Sequence, residues 1–144
     1  MTKQFIDMRI SSQSANDANT FVIPAFPGIL FGDIGIQTTG VLPENLGDIR
    51  VNLNGYAKIS GLEGAETLTI RVFRDLTTSI LVTSFLNVNL TTYTFGFSAV
   101  DFPPEIVAGQ GQIRYTATID STSNATLGAA NFSGLAAAGT TTEL

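Results

Sequence analysis

Apolar and polar residues alternate along most of this chain with the two-residue period of β-strands. From Ile49 to Ile59 the odd positions Ile49, Val51, Leu53, Ala57 and Ile59 are apolar, with only Gly55 breaking the row. The even positions are Arg50, Asn52, Asn54, Tyr56 and Lys58. The pattern predicts one long strand with a bulge at the glycine. A type I′ turn at Asn54-Gly55 would split it into a hairpin, and the regular alternation favours the continuous strand. Further strands are expected over 67–74, 80–90, 92–100 and 112–120, then 125–132 with a final small-residue segment. Turns fall at Gly61–Gly64, Asp75–Thr78, Pro103-Pro104 and Gly109–Gly111. The segment Phe21–Gly28 holds two prolines, which suits an extended edge or crossing segment. Helical periodicity is sustained nowhere over three turns. About seven to nine strands with frequent turn signals predict an all-β sandwich or barrel.

The N-terminus follows its own pattern. In Phe5–Ile10 the residues Ile6, Met8 and Ile10 share one face and Asp7 and Arg9 the other, as in a half-buried strand. Ser11–Thr20 then contains no large apolar side chain. Residues 1–20 therefore read as a connector strand on a flexible linker, ahead of a body at 21–144. A ten-residue tether averages roughly 17 Å end to end as coil and reaches about 33 Å extended. Strand addition to a neighbouring subunit is the use such a segment suggests. Its docking residues would be Phe5, Ile6, Met8 and Ile10, and the body is expected to fold without it.

Composition narrows the chemistry. The 144 residues form one domain with a real core, 44% hydrophobic but only 13% charged, about half the usual charged share. A net charge of −5 with seven scattered Lys and Arg gives no basic footprint for nucleic acid. Cys, His and Trp are absent. Zinc, haem, iron–sulfur and thiol chemistry thus lose their usual ligands, and serine catalysis lacks its base. No secretory core and no membrane-length apolar run are present, so the chain is expected to be made without a signal peptide and to avoid membranes. The sequons at Asn89, Asn124 and Asn131 then read as coincidences of an Asn- and Thr-rich chain.

Carboxylates are the remaining candidates. Asp101 with Glu105, and Glu63 with Glu66, are near in sequence but lack the aromatic platform of a sugar hydrolase. Asp33, Asp48, Asp75, Asp101 and Asp120 sit at strand ends or loops, where calcium sites form, without the Asp-x-Asp-x-Asp-Gly loop. Solvated surface carboxylates are the default reading, and no cofactor is expected. The glycines of 28–40 and 109–111 read as turn and bulge residues, since no Lys-Ser/Thr and helix follow. Tyr93, Phe95 and Phe97 read as core, with a ligand groove as the alternative.

Four segments, Gly47–Tyr56, Thr92–Phe102, Gly111–Ile119 and Asn131–Ala136, resemble small spore-surface proteins of endospore-forming bacteria. These are exosporium and endospore-appendage subunits with a tumour necrosis factor-like jelly roll. The resemblance covers roughly residues 45–136. It implies a jelly-roll β-sandwich preceded by an N-terminal connector, assembling with other copies as a homotrimer stacked into a fibre or layer on the spore surface. With no cysteine, docking would be non-covalent. A carbohydrate- or protein-binding jelly-roll module, and a phage or virus structural protein, are the rival readings, and an enzyme is the least favoured class.

Overall fold

The computed structural model describes residues 3–17 and 20–140. Among the described residues nine strands form: β1 (Gln4–Ser14), β2 (Phe21–Val22), β3 (Ile29–Gln37), β4 (Ile49–Ser60), β5 (Thr67–Arg74), β6 (Thr78–Leu86), β7 (Thr92–Asp101), β8 (Gln112–Ser121) and β9 (Thr126–Ala138). A 3-10 turn (Pro43–Asp48) precedes β4, and one helical turn, α1 (Glu105–Ala108), joins β7 to β8. Among the described residues no helix is long and apolar enough to cross a membrane.

The strands divide into two antiparallel sheets. The first runs β1-β9-β4-β7, with β2 also on β9, and the second runs β3-β8-β5-β6. Every connection between the eight long strands except the β5–β6 hairpin crosses from one sheet to the other. This is the jelly-roll arrangement, a β-sandwich of two Greek keys. The alternation explains why the layers stick. Ile49, Val51, Leu53 and Ile59 of β4 face Leu68, Ile70 and Val72 of β5 and Ile113, Tyr115 and Ile119 of β8 within one buried cluster. Tyr93 and Phe97 pack against that cluster and Phe95 lies within it, so the aromatic row of β7 is core.

Strand β4 is continuous through Gly55, which pairs with Phe97 on one side and Phe132 on the other. Gly55 is required there by crowding: an added Cβ would stand 2.5 Å from the Phe97 ring and 2.6 Å from the Asn131 carbonyl oxygen. The irregularity in β4 falls between Ala57 and Ile59 instead.

The N-terminal segment differs from its sequence reading. Strand β1 extends to Ser14, four residues beyond the expected end, and pairs with β9 of its own chain from Gln4↔Ala138 to Ser14↔Ala130. It is thus one of the eight strands of the jelly roll. The linker is also tied down. Asp17 accepts a hydrogen bond from the Ala129 N–H at 3.0 Å and pairs with Lys58 at 2.5 Å. β2 then rejoins the same edge at Phe21↔Leu127. Gly128 makes room for this plug, since a Cβ there would lie 2.4 Å from Asp17 Oδ1. Physically, β9 has two edges and β4 fills only one; the N-terminal strand is the nearest supply of partners for the other. Residues 1–2 and 18–19 of the expected connector lie outside the described residues.

Candidate docking surfaces

The predicted docking residues do not all face the same way. A bulge between Phe5 and Asp7 inserts Ile6 as an extra residue. Ile6 turns inward and packs against the core. Phe5, Met8 and Ile10 point out from the first sheet and are 65%, 54% and 68% exposed. The register sets them in rows across the sheet. Met8 lies opposite Leu135, then Asn52 and Val100. Phe5 lies opposite Ala137, then Arg50, whose guanidinium sits 4.3 Å over the exposed Phe102 ring. The outer face of this sheet therefore carries an apolar strip along β1 and β9, which Arg50 and Asn52 of β4 separate from Val100 and Phe102 at the end of β7. Sequence reasoning missed Leu135, Val100 and Phe102, because membership in the strip depends on cross-strand register.

The inward positions of β1 after the bulge are polar, and they close one side of the sandwich. Asp7 Oδ2 accepts from the Gln37 N–H at 2.8 Å, and Ser11 Oγ accepts from the Asp33 N–H at 3.2 Å. Both donors lie on β3, the terminal strand of the second sheet. Burial pushes the Asp7 carboxyl up, but Arg9 and the Gln37 and Met8 N–H groups outweigh it and hold the group below the usual range. Gln4 adds three contacts, donating to the Gly40 carbonyl and accepting from the Leu42 N–H and from Asn45 Nδ2. Next to them Arg114 grips Asp33 through two bonds of 2.9 and 2.7 Å, which lowers the Asp33 pKa.

The opposite side, between β6 and β7, is built differently. No residue from Leu76 to Val100 is charged, and none is proline. Phe85 of β6 stacks on Tyr93 of β7 with ring centroids 3.9 Å apart, holding the two terminal strands together. Their connection is fixed by Glu66, a fully buried carboxylate. It accepts from the Glu63 and Gly64 N–H groups and from Asn87 Nδ2, while Asn87 Nδ2 also donates to the Leu90 carbonyl. Glu66 is thus a brace for two loops, not half of a carboxylate pair with Glu63.

That brace titrates. Hydrogen bonds from Asn87 and the Glu63 N–H lower the Glu66 pKa from the usual 4.5 to about 2. A carboxylate held lower in the folded state stabilises fully above 4.5, and that contribution disappears as the pH falls toward about 2. The urea midpoints of the wild type and of Glu66→Gln are therefore expected to differ most above pH 5 and to converge by pH 2. A gap independent of pH would show that the charge of Glu66 does not contribute.

The carboxylates considered for calcium mostly have cationic partners already. Asp33 pairs with Arg114, Asp48 with Arg50, Asp101 with Arg74 and Asp120 with Arg71. Among the described residues no group of three or more acidic side chains is arranged to hold a metal. A shallow cavity of about 340 Å³ beneath α1 is lined by Thr38, Thr39, Val41, Leu46 and residues 108–111, without an ionisable side chain.

No family model matches this chain, and no curated protein matches it. Solved structures do share its architecture. The structure of the Gt strain of infectious bursal disease virus superposes with a TM-score of 0.53 at 11% identity, over 92% of this chain and 37% of that one. Dimeric latent PorU from Porphyromonas gingivalis gives 0.50 at 11% identity, over 92% of this chain and 13% of that one. The likeness is one of fold: this is a jelly-roll β-sandwich, spanning little more than a third of the viral chain.

Proposed function

We propose that the chain is a structural subunit that assembles with other copies of itself, docking through the outer face of the β1-β9-β4-β7 sheet. The observation that carries this reading is the exposed apolar strip of Phe5, Met8, Ile10 and Leu135, with Val100 beyond Asn52 on the same face. Two properties point to another copy as the occupant. The only charge in the rows of Phe5 and Met8 is Arg50, which is engaged by Asp48 and Phe102, so identical faces can meet without repulsion. The resemblance to spore-surface subunits supports self-assembly, and the resulting fibre or layer would then lie on the surface of a bacterial spore.

Burying a large apolar side chain contributes about 1.5–3 kcal/mol before ordering costs. Three such residues per copy would support a micromolar contact, and repetition along an assembly would strengthen it. The double substitution Met8→Lys with Ile10→Lys changes two exposed positions and should leave the thermal midpoint within a few degrees. It should reduce the assemblies formed by the wild type to small oligomers in negative-stain electron microscopy and sedimentation velocity. Unchanged assemblies would remove this face from the interface.

A further inference from the structure

We infer that the β6–β7 side of the sandwich is a second interface, at which β6 pairs antiparallel with β6 of another copy across a two-fold axis. The choice of a second copy as occupant rests on the self-assembly reading; the openness of the edge does not. Terminal strands present unpaired N–H and C=O groups, and proteins ordinarily block them with charges, prolines or covering side chains. The two ends of this sandwich are treated in opposite ways. At the β1–β3 end, Asp7 and Ser11 cap the backbone of β3, and Arg9, Asp33 and Arg114 surround it with charge. At the β6–β7 end the stretch from Leu76 to Val100 contains neither a charge nor a proline, and a single bulge at Ile80 is the one interruption in the pairing of β6 with β5. Instead Val82, Leu86 and Val88 are 52%, 61% and 77% exposed.

A molecule of net charge −5 repels its own copies over most approaches. The uncharged end is where that repulsion is weakest, and an antiparallel strand pair satisfies the symmetry of two identical edges. β6 has nine residues, so it is about 30 Å long. Pairing along this length would satisfy the open backbone groups of both β6 edges and cover the exposed Val82 and Leu86 beside them. The second sheet would then run through eight strands across the two-fold axis.

Val82→Glu tests this. Val82 is 52% exposed near the middle of β6, so a carboxylate there should leave the monomer folded while placing a negative charge from each copy in the β6–β6 seam. Sedimentation velocity is read on four proteins: wild type, Val82→Glu, the Met8→Lys/Ile10→Lys face variant, and the triple variant. The expected result is that the face variant stops at dimers, and that the triple variant is monomeric with an unchanged circular dichroism spectrum. Hydrogen exchange of the β6 amides should slow at least tenfold in the face-variant dimer relative to the triple variant. A face variant still dimeric after Val82→Glu, or β6 amides unprotected in the dimer, overturns the edge pairing. Wild-type assembly that ignores the face substitutions but is lost with Val82→Glu would sink the face and uphold the edge. A wild type monomeric at about 100 μM sinks both.

Discussion

Deleting residues 1–14 is expected to abolish soluble, folded protein. The sequence reading had this segment as a dispensable connector, but β1 supplies one complete edge of β9 from Ala130 to Ala138. Its loss removes a ladder whose hydrogen bonds contribute about 1 kcal/mol net each. It also uncovers Ile6's place on the core and the capped N–H groups of Gln37 and Asp33. Against a total stability of about 5–15 kcal/mol, several kcal/mol is enough to unfold the domain. The exposed strand that remains, Thr126–Ala138, contains no charge and would be prone to aggregation. Size-exclusion chromatography and circular dichroism of the truncated chain should show aggregates or an unfolded monomer. A synthetic peptide of residues 1–14, added during refolding, should restore the native spectrum by strand addition. A truncated chain that stays soluble with a melting temperature close to wild type would overturn the account.

The second large effect is expected at Asp101. Its carboxylate receives Arg74 Nη1 at 2.7 and 2.8 Å and the Tyr115 hydroxyl at 2.7 Å. Asp101 ends β7 in one sheet, whereas Arg74 and Tyr115 belong to β5 and β8 in the other. The triad is therefore a polar bolt through the sandwich, and all of it is buried or nearly so. Burial, then the bond to Asp101, pushes the Tyr115 hydroxyl well above its usual pKa, so it stays a donor at every working pH. Asp101→Ala strands the Arg74 charge and should cost about 3–5 kcal/mol. For a chain of this size that lowers the melting temperature by roughly 10 °C or more. Tyr115→Phe should cost only about 1–2 kcal/mol. Combining Arg74→Met, Asp101→Leu and Tyr115→Phe should recover most of the loss, since no charge is then left unpaired. A melting temperature for Asp101→Ala within about 3 °C of wild type would refute the bolt.

Strands β4 and β8 were legible residue by residue, because an inward row of Ile, Val, Leu and Tyr is fixed by burial alone. The role of β1 was hidden for two physical reasons. The bulge at Ile6 breaks the two-residue period, and the inward positions that follow are Asp7 and Ser11, which bond to the β3 backbone instead of filling the core. A hydrophobic pattern ends at Ile10 although the pairing continues to Ser14. The Ser11–Thr20 stretch looked flexible because nothing local reveals that Asp17 meets Ala129 and Lys58. The unprotected edge was closer to legibility: low charge was apparent in the composition, but its concentration between Leu76 and Val100 appears only when charge is followed along the chain.

The place of β9 also governs when the fold can form. It is the last strand among the described residues, yet it lies between β1 and β4 in the middle of its sheet. A growing chain therefore exposes the facing edges of β1 and β4 with nothing to join them until Ala138 has left the ribosome. The sheet cannot close strand by strand during synthesis. It must wait with β1 unpaired, and the longest-range strand pairing among the described residues, between Gln4 and Ala138, is one of its founding contacts.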